Sequence, residues 1–381
     1  MKRIDQSTGE GKTMNDVSIK SVTIKGFRNL KNVENLELSN LNVLIGGNGV
    51  GKSTLMHFFE MLSWMHRAGN FQEYVIRNGG GDDQFFMGGQ VTPEIKADIA
   101  METQDGTCDY GLSLSYVSAK DRALVAEERY RSVPVSSDGT EPYQVLKEME
   151  VESQLGRQTD KTAQTIRKLL QQFAVFHFHD AAANASVNKR WEVSDSYCLR
   201  TDGGNLAPVL MSLLENDRQR YQYIVDQIQS VFPNLGDFVL KQEYGKVLLQ
   251  WKHRFSDKVL GPYLTSDGTL RFFFLVTLLN LPPDRLPSVL FIDEPELGLH
   301  PYAMELVAAM LKRVARTKQV VVATQSANLL DCFDLDNIIV AESHSGAAQF
   351  KRMNRQDYER WLEDDYQPSD IWLSQSVGGG L

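Results

Sequence analysis

Residues 41–54 have the sequence LNVLIGGNGVGKST, and this stretch decides the fold. A short, mostly apolar run is followed by two glycines that bracket four residues, and a lysine and a serine come directly after them. This spacing is typical of a phosphate-binding loop between a buried strand and a helix. The glycines let backbone N–H groups turn toward phosphate, and the N-terminus of the helix attracts anions. The stretch therefore predicts an α/β fold with a nucleotide site at this turn.

The loop residues predict which groups meet the nucleotide. Lys52 is expected to reach the β- and γ-phosphates, and the Ser53 hydroxyl is expected to ligate Mg²⁺. The other residues expected to line the nucleotide are Gly46, Gly47, Asn48, Gly49, Val50, Gly51 and Thr54. A glycine-rich turn without a ligand is the alternative, but the strand before the loop and the helix after it favour the nucleotide site.

A second motif, VLFIDEPELGLHP at residues 289–301, ends another apolar strand with two carboxylates. Asp293 is placed at the carboxyl end of this strand, where open α/β sheets bind ligands, and is expected to hold Mg²⁺. Glu294 follows directly and is expected to orient and deprotonate an attacking water. Adjacent carboxylates beside an apolar strand are unfavourable unless a cation or a function compensates. A helix cap is a reasonable explanation for Glu296.

The segment SDGT at residues 266–269, here called the signature turn, precedes an apolar pattern that predicts a helix. Ser266 and Gly268 would give the chain a second helix start that binds anions. One nucleotide site needs only one such start. The signature turn is explained if it contacts ATP held by a second copy of the chain, so that two subunits enclose two ATP molecules. An ordinary helix N-cap is the alternative.

Strand and helix patterns predict a single domain over residues 17–381 after a polar tail at residues 1–16. Alternating apolar residues in the first third predict antiparallel strands, whereas strands that alternate with helices after residue 289 predict parallel pairing. We therefore expect an α/β fold: a mostly parallel sheet with an antiparallel β subdomain and a helical subdomain. The expected parts are a phosphate-loop lobe at 17–132, a polar insertion at 133–172, a helical lobe with the signature turn at 173–288, and a catalytic-strand lobe at 289–381. The insertion is expected either to recognise a partner or to decorate the domain.

Charge and composition limit the possible partners and the compartment. The net charge of −9 argues against a uniformly basic nucleic-acid coat, although a local basic patch stays compatible with it. The three cysteines are scattered without the spacing of a metal site, which favours a reducing compartment. The longest apolar run, at residues 272–281, is too short to span a bilayer. We expect a cytoplasmic protein without a membrane partner.

The motifs GGNGVGKST, SDGTLR and LFIDEPELGLHP resemble, in this order, those of ABC-type ATPases of the RecF and structural-maintenance-of-chromosomes (SMC) kind. The segments IKGFRNLKNVENLELSNLNVLIG, HFHD, LRTDGGNLAPVL and VVATQS extend the resemblance to stand-alone bacterial ATPases of the RecF/OLD kind. The resemblance implies a P-loop NTPase that binds and hydrolyses ATP with Mg²⁺ as a head-to-tail homodimer or a higher assembly. The implied roles are phosphate and Mg²⁺ contacts by Lys52 and Ser53, Mg²⁺ binding by Asp293, base catalysis by Glu294, and contacts to the partner's γ-phosphate by Ser266 and Gly268.

The resemblance also suggests roles for residues outside these motifs. Arg28 in GFRNL matches an arginine near the nucleotide, and Gln325 in ATQS stands where many relatives have a histidine that senses the γ-phosphate. A glutamine donates a hydrogen bond but carries no charge. The glutamine that binds Mg²⁺ in relatives has two candidates here, Gln84 and Gln90.

The HFHD segment places His177 and His179 on one face of a predicted strand, with Asp180 just beyond. Two histidines and a carboxylate are metal ligands in many proteins. A polar strand end near the active site is the alternative explanation.

The function that these observations favour is an ATP-driven molecular switch. ATP would close the homodimer, and hydrolysis would reopen it. The output would reach DNA or a separately encoded nuclease or toxin, in DNA repair or in defence against phage. The alternatives are a regulatory assembly module with little turnover, the motor subunit of a transporter, and a small-molecule kinase that uses the same loop.

Overall fold

Two six-stranded sheets organise the chain, one antiparallel and one mostly parallel. The structure is a computed structural model that describes residues 17–67, 69–137, 139–178 and 185–378. The predicted polar tail at residues 1–16 lies outside the described residues, and so do His179 and Asp180 of the HFHD segment. In the described ranges, no helix has the length and apolar character needed to cross a bilayer.

The described residues form strands and α-helices that alternate along much of the chain. The strands are β1 Ser18–Phe27, β2 Leu30–Glu37, β3 Leu41–Ile45, β4 Glu94–Thr103, β5 Gly106–Val117, β6 Arg122–Pro134, β7 Gln144–Val145, β8 Phe173–Phe176, β9 Trp191–Glu192, β10 Leu235–Phe238, β11 Gln242–Glu243, β12 Lys246–Val247, β13 Trp251–His253, β14 Val259–Leu260, β15 Val289–Asp293, β16 Gln319–Thr324, β17 Ile338–His344 and β18 Ala347–Arg352. The helices are α1 Lys52–Arg67, α2 Phe71–Arg77, α3 Lys161–Gln171, α4 Leu206–Asn216, α5 Arg218–Val231, α6 Asp267–Leu279, α7 Pro301–Val314, α8 Ala327–Leu330, α9 Glu359–Glu363 and α10 Pro368–Gly378.

The mostly parallel sheet has the strand order β18-β17-β3-β16-β15-β8. Its strands pair in parallel, except that β18 runs antiparallel to β17 at one edge. Every residue of β3, β15 and β16 is buried, as expected for parallel strands covered on both faces. The carboxyl ends of β3, β15 and β16 therefore meet at one edge of the sheet, which is where open α/β sheets bind ligands.

The residues of β3 alternate between two apolar clusters on opposite faces of this sheet. Leu41, Val43 and Ile45 pack in the cluster that contains α4 to α8, whereas Leu44 packs in the cluster that contains α1, α2 and α3. This two-residue period is the pattern of a strand that is buried on both faces. The strand that carries the phosphate loop is thus fixed by the core on either side.

The antiparallel sheet has the order β2-β1-β4-β5-β6-β7 and comes entirely from residues 18–145. Buried residues alternate with exposed or partly exposed ones along β1 and β4, so one face packs on the core and the other faces solvent. Gln319, at the start of β16, joins the two sheets: it accepts a hydrogen bond from Ile19 N at 2.9 Å and donates one to Ile19 O at 2.8 Å.

The range 133–172 contains a helix that belongs to the core. The helix α3 begins after Asp160, whose side chain caps it by accepting from Ala163 N. Its buried residues Ile166 and Leu169 pack in the same apolar cluster as α1. The amphipathic pattern of α3 is strong, but charged residues on its outer face make the whole range look polar in sequence.

Two predicted elements of the helical region are divided in the structure. Residues 205–231, whose sequence pattern predicts one helix, form α4 and α5, which are separated by Asp217; the Asp217 carboxylate caps α5 by accepting from Arg220 N. Residues 238–253, whose two apolar runs predict a hairpin, instead contribute short strands to two small sheets, β10-β13-β14 and β11-β12-β9. The predicted helix after the signature turn is α6, and Ser266 is its N-cap.

Candidate nucleotide-binding site

The phosphate loop occupies residues 46–51, between β3 and the first residue of α1. Lys52 Nζ donates hydrogen bonds of 2.7 Å to the carbonyl oxygens of Gly46 and Gly47. Burial lowers the pKa of the Lys52 ammonium, and nearby carboxylates, of which Glu294 acts most strongly, oppose this shift. Among the other residues predicted to line the nucleotide, Gly46 and Gly51 are buried. The exposed or partly exposed ones are Gly47, Asn48, Gly49, Val50 and Thr54.

The last strands of the sheet hold the phosphate loop closely. Gly51 has φ +112°, and a Cβ at this position would also overlap the side chain of Ala348 on β18. A Cβ at Gly46 would clash with the carbonyl oxygen of Ala341 on β17. The loop sequence is therefore matched to strands that lie almost 300 residues later in the chain.

Ser53, in the first turn of α1, and Asp293, the last residue of β15, meet at this edge of the sheet. Ser53 Oγ donates a hydrogen bond of 3.1 Å to Asp293 Oδ2, and Asp293 is buried at the end of β15. The pairing of β16 with both β3 and β15 brings these two residues to the same edge of the sheet. Nδ1 of His177, directly after β8, lies 3.5 Å from the same carboxylate oxygen.

Glu294 has a left-handed backbone, with φ +45°. Its N–H donates a 2.8 Å hydrogen bond to the carbonyl oxygen of Ala323, and its Oε1 accepts a hydrogen bond from Nε2 of Gln325. A left-handed conformation is unfavourable for glutamate, and such strain is concentrated at functional sites. Gln325, which stands where many relatives have a γ-phosphate-sensing histidine, therefore lies against the predicted catalytic carboxylate.

Glu296 is buried and joins the ends of β15 and β16. Its Oε1 accepts hydrogen bonds from Thr324 Oγ1 and from the backbone N–H of Gln325, the latter at 3.1 Å. Burial raises the pKa of the Glu296 carboxyl group, and its hydrogen bonds oppose this shift. The cap of α7 is His300, so Glu296 does not serve as the helix cap that the sequence suggested.

Arg28 lies in the turn between β1 and β2, next to the phosphate loop. The neighbouring Asn29 donates from Nδ2 to the carbonyl oxygen of Gly49 at 3.1 Å. Arg28 lines a surface cavity of about 340 Å³ together with Asn29, Phe86 and Gly346. The hydrogen bond from Asn29 to Gly49 places the Arg28 turn beside the phosphate loop, while the Arg28 guanidinium donates its hydrogen bonds to Gln84.

The two glutamine candidates for the Mg²⁺ ligand lie in different surroundings, since Gln84 is buried and Gln90 is exposed. Gln84 accepts from the Arg28 guanidinium at 3.0 and 3.3 Å, and its own amide donates to the carbonyl oxygens of Asn78 and Gly80. Gln84 therefore orders the turn that holds Arg28. Gln90 is an exposed turn residue. A different residue, His177, approaches Asp293 directly after β8. Its position in HFHD, after an apolar strand, was the feature of the sequence that pointed to it.

The signature turn begins α6 at the protein surface. Ser266 and Asp267 are exposed, and Ser266 Oγ caps the helix by accepting from Thr269 N at 3.3 Å. A Cβ at Gly268 would clash with the carbonyl oxygen of Gly298, so the signature turn packs directly on the loop that follows Glu294. Ser266 is thus an ordinary N-cap of α6, and the N-terminus of this helix is exposed at the surface.

Arg271, which sequence reasoning did not single out, connects three parts of the site. Its guanidinium donates from Nε and Nη2 to the carbonyl oxygen of Phe178 at 2.9 and 2.7 Å, and from Nη1 to that of Leu297. Burial lowers the pKa of this guanidinium, and Asp267 is the first of several carboxylates that oppose the shift. A single arginine within the apolar helix sequence DGTLRFFFLVTLL was the signal available in the sequence.

Comparison with known proteins identifies the family. Residues 41–331 match the family described as "AAA domain, putative AbiEii toxin, Type IV TA system". The chain belongs to this family. The comparison with curated proteins found no significant match.

Solved structures show that this AbiEii-type AAA domain has the fold of an SMC head. A crystal structure of the SmcHead bound to the C-winged helix domain of ScpA is 12% identical, with a TM-score of 0.57 over 90% of this chain and 99% of that chain. An Smc head domain with an extended coiled coil, bound to the C-terminal domain of ScpA from Pyrococcus furiosus, is 12% identical, with a TM-score of 0.55 over 91% of this chain and 99% of that chain. The predicted resemblance to stand-alone RecF/SMC-like ATPases and the predicted P-loop fold of ABC-ATPase type are confirmed. Nucleotide binding with Mg²⁺ is the activity that this class of P-loop ATPase implies.

Proposed function

We propose that this chain is an ATP-hydrolysing molecular switch that closes as a head-to-tail dimer around ATP and signals to DNA or to a partner effector. The observation that carries the proposal is the hydrogen bond between Ser53, directly after the phosphate loop, and Asp293, the last residue of β15, which Glu294 follows in the chain. Family membership supports the same conclusion, because the family is one of P-loop ATPases.

The donors at this edge fit Mg²⁺·ATP. Ser53 Oγ and Asp293 Oδ2 are oxygen donors 3.1 Å apart, and oxygen is the ligand that Mg²⁺ prefers. Bound Mg²⁺ would neutralise charge on the β- and γ-phosphates. The protein side supplies the N–H groups of residues 46–51, the start of α1, and Lys52, whose ammonium already lies inside the loop.

Glu294 is the group that we assign to proton transfer from the attacking water. It directly follows Asp293, the aspartate that we assign to Mg²⁺. Its left-handed backbone turns the chain away from the extended path of β15. Gln325 fixes the carboxylate by a hydrogen bond to one oxygen, which leaves the other oxygen for a water molecule. In this arrangement Gln325 is a positioning residue for Glu294, in addition to any contact with the γ-phosphate.

The signature turn supports the dimer. Ser266 and Asp267 are exposed at a helix N-terminus, which is a favourable place for a phosphate group. The adjoining side chains of Tyr263 and Leu264 are 65% and 67% exposed, an apolar patch suited to contact with a second subunit. Because Gly268 packs on Gly298, closure on the partner's ATP would be transmitted to the loop after Glu294.

The output of the switch is proposed from the relatives. The family description names a putative toxin of a toxin–antitoxin system, and the SMC head structures contain a bound domain of a second protein, ScpA. We infer that this chain acts on DNA or on a separately encoded nuclease or toxin, in DNA repair or defence against phage, and that opening and closing of the dimer controls that partner.

The test is steady-state ATP hydrolysis, with and without linear double-stranded DNA, together with ATP binding and light scattering. Glu294→Gln should lower turnover by about 100-fold or more while ATP affinity changes by less than about threefold, and ATP should trap it as a dimer. Lys52→Ala should bind ATP more weakly and stay monomeric. Equal turnover in Glu294→Gln and the natural chain would refute the assignment of the base. Strong ATP-dependent dimerisation of the natural chain with little turnover would favour the regulatory assembly module instead.

A further inference from the structure

Three side chains outside the phosphate loop form a compact group beside the nucleotide site. His57 and Glu60 lie one helical turn apart on α1, and His177 follows β8. One potential ligand atom of each lies within 4.8 Å of those of the other two. His57 Nδ1 is 3.1 Å from Glu60 Oε2, and the rings of His57 and His177 stack with centroids 5.6 Å apart.

Rigid parts of the core position this group. The parallel pairing of β8 with β15 places Phe176 opposite Ile292, so His177 emerges next to Asp293. The helix α1 is fixed on the same sheet by Phe59, whose ring stacks on that of Phe291 at 4.7 Å. Sites built on packed helices and strands hold their ligands more accurately than sites on free loops.

We propose that His57, Glu60 and His177 bind a divalent transition-metal cation of the zinc class. Two imidazoles and one carboxylate are a known zinc donor set, which leaves a fourth position for water or another oxygen ligand. Mg²⁺ prefers an all-oxygen shell, so this group is chemically distinct from the Ser53 and Asp293 oxygens. The proposal does not depend on ATP hydrolysis, because it concerns a separate cation.

The observed spacing requires only a small contraction on binding. Ligand atoms on one tetrahedral zinc ion are separated by roughly 3.3–3.5 Å, since each bond is about 2.0–2.1 Å long. The three atoms lie within 4.8 Å of one another, so side-chain rotation would be enough to bring them to this spacing. The side chains of His57 and Glu60 are each 31% exposed and that of His177 is 27% exposed, so they have room to rotate and a cation has a path of entry.

A cation in this place would act on the nucleotide site through His177. Histidines that bind a metal commonly donate their second ring nitrogen to a carboxylate, which fixes the orientation of both groups. His177 Nδ1 already lies 3.5 Å from Asp293 Oδ2. Occupancy of the His57–Glu60–His177 group would therefore hold the Asp293 carboxylate in one orientation, which gives the cation a regulatory influence on Mg²⁺·ATP.

The test uses full-length, tag-free chain that has been stripped with a chelator and contains no nucleotide. Cobalt(II) is added as a spectroscopic probe, and zinc(II) binding is measured by calorimetry. One equivalent should bind, with the intense visible absorption of four-coordinate cobalt, and zinc should displace it. His57→Gln and Glu60→Gln should each weaken binding by about tenfold or more.

Two controls make the result decisive. His344→Gln alters an exposed histidine that also pairs with a glutamate, Glu342, and should leave binding unchanged. Ser53→Ala removes a ligand of the Mg²⁺ site and should also leave zinc binding unchanged. Circular dichroism confirms that each variant is folded, and Glu60→Gln provides a second reading if His57→Gln unfolds. Binding that is equal in the His57, Glu60 and natural proteins, or that is lost in Ser53→Ala, would overturn the proposal.

Discussion

Glu294 and Gln325 show how single residues shape this site. Glutamate is disfavoured in the left-handed region, yet Glu294 is held there by its backbone bond to Ala323 and by the amide of Gln325. The surrounding ends of β15 and β16 determine this geometry. The strain is therefore maintained by the fold, as expected where a side chain must point in one direction for its chemistry.

Replacing Gln325 tests whether its amide positions the base. Gln325→Leu removes the donor to Glu294, and a hydrogen bond to a charged group contributes about 1.5 kcal/mol, so turnover should fall about tenfold. The KM for ATP should stay the same if Gln325 acts only through Glu294. Steady-state kinetics measure both constants. Gln356→Leu, at an exposed glutamine elsewhere, is the matched control. A rise in KM with unchanged turnover would instead assign Gln325 to nucleotide binding.

At the scale of elements, α1 joins the nucleotide edge to the antiparallel sheet. Its last turn carries His66, which is buried against Tyr110 of β5 and lies near Glu128 of β6 and Arg167 of α3. Burial lowers the pKa of His66 from 6.5 to about 4. The folded protein therefore keeps this imidazole neutral where the unfolded chain would protonate it.

This depressed pKa predicts a loss of stability in mild acid. The contribution of His66 is complete above pH 6.5 and is lost as the pH falls from 6.5 toward about 4, because only the unfolded chain gains a proton in that interval. By pH 5 the loss is on the order of 2 kcal/mol. Urea unfolding at pH 8 and pH 5 should show a smaller loss for His66→Gln than for the natural chain. His344→Gln, at an exposed histidine, is the control and should lose as much stability as the natural chain. Equal losses in His66→Gln and the natural chain would contradict the buried neutral state.

Arg271 connects the signature helix to the loops that follow β8 and β15. Arg271→Met leaves the buried carbonyl oxygen of Phe178 and the partly buried one of Leu297 without their charged donor, so the free energy of unfolding should decrease by roughly 2–4 kcal/mol. Chemical denaturation measures the change. Arg77→Met, at an exposed arginine paired with Glu73, should change stability by less than about 1 kcal/mol. Similar effects of the two substitutions would exclude a connecting role for Arg271.

At the scale of the whole molecule, the head-to-tail dimer predicts that two inactive variants restore each other. Lys52→Ala damages the phosphate loop, and Ser266→Arg damages only the signature turn that would face the partner. In a mixed dimer one site carries both defects and the other carries neither. Neither variant closes with itself, so the closed dimers in an equal mixture are mixed ones, and the mixture should recover up to about half of the natural ATPase rate because each mixed dimer has one intact site of two. An unchanged rate in Ser266→Arg by itself would refute the shared site.

The sequence predicted those parts of the molecule whose signals are local. The strands β3 and β15, the helix α1 and the cap of α6 follow from apolar runs, glycines and a serine at fixed spacing, and the structure has them. The strand β18 was missed because AAQFKR is a short, half-polar edge strand. The range that contains α3 was predicted as a weakly helical, polar insertion because the apolar face of α3 is hidden among charged residues. Contacts such as His177 with Asp293, or Gln325 with Glu294, arise from parallel pairing of distant strands and leave no trace in local spacing.

The position of β3 between β16 and β17 has a consequence for how the protein is made. The phosphate loop is synthesised early, but both strands that flank β3 come from residues 319–344. A growing chain on the ribosome therefore carries the nucleotide-binding motif long before it has the neighbours that hold that motif in shape. The antiparallel sheet, by contrast, is complete by residue 145 and can form first. Competence to bind ATP is thus acquired only after residues 319–344 have been synthesised and have paired with β3.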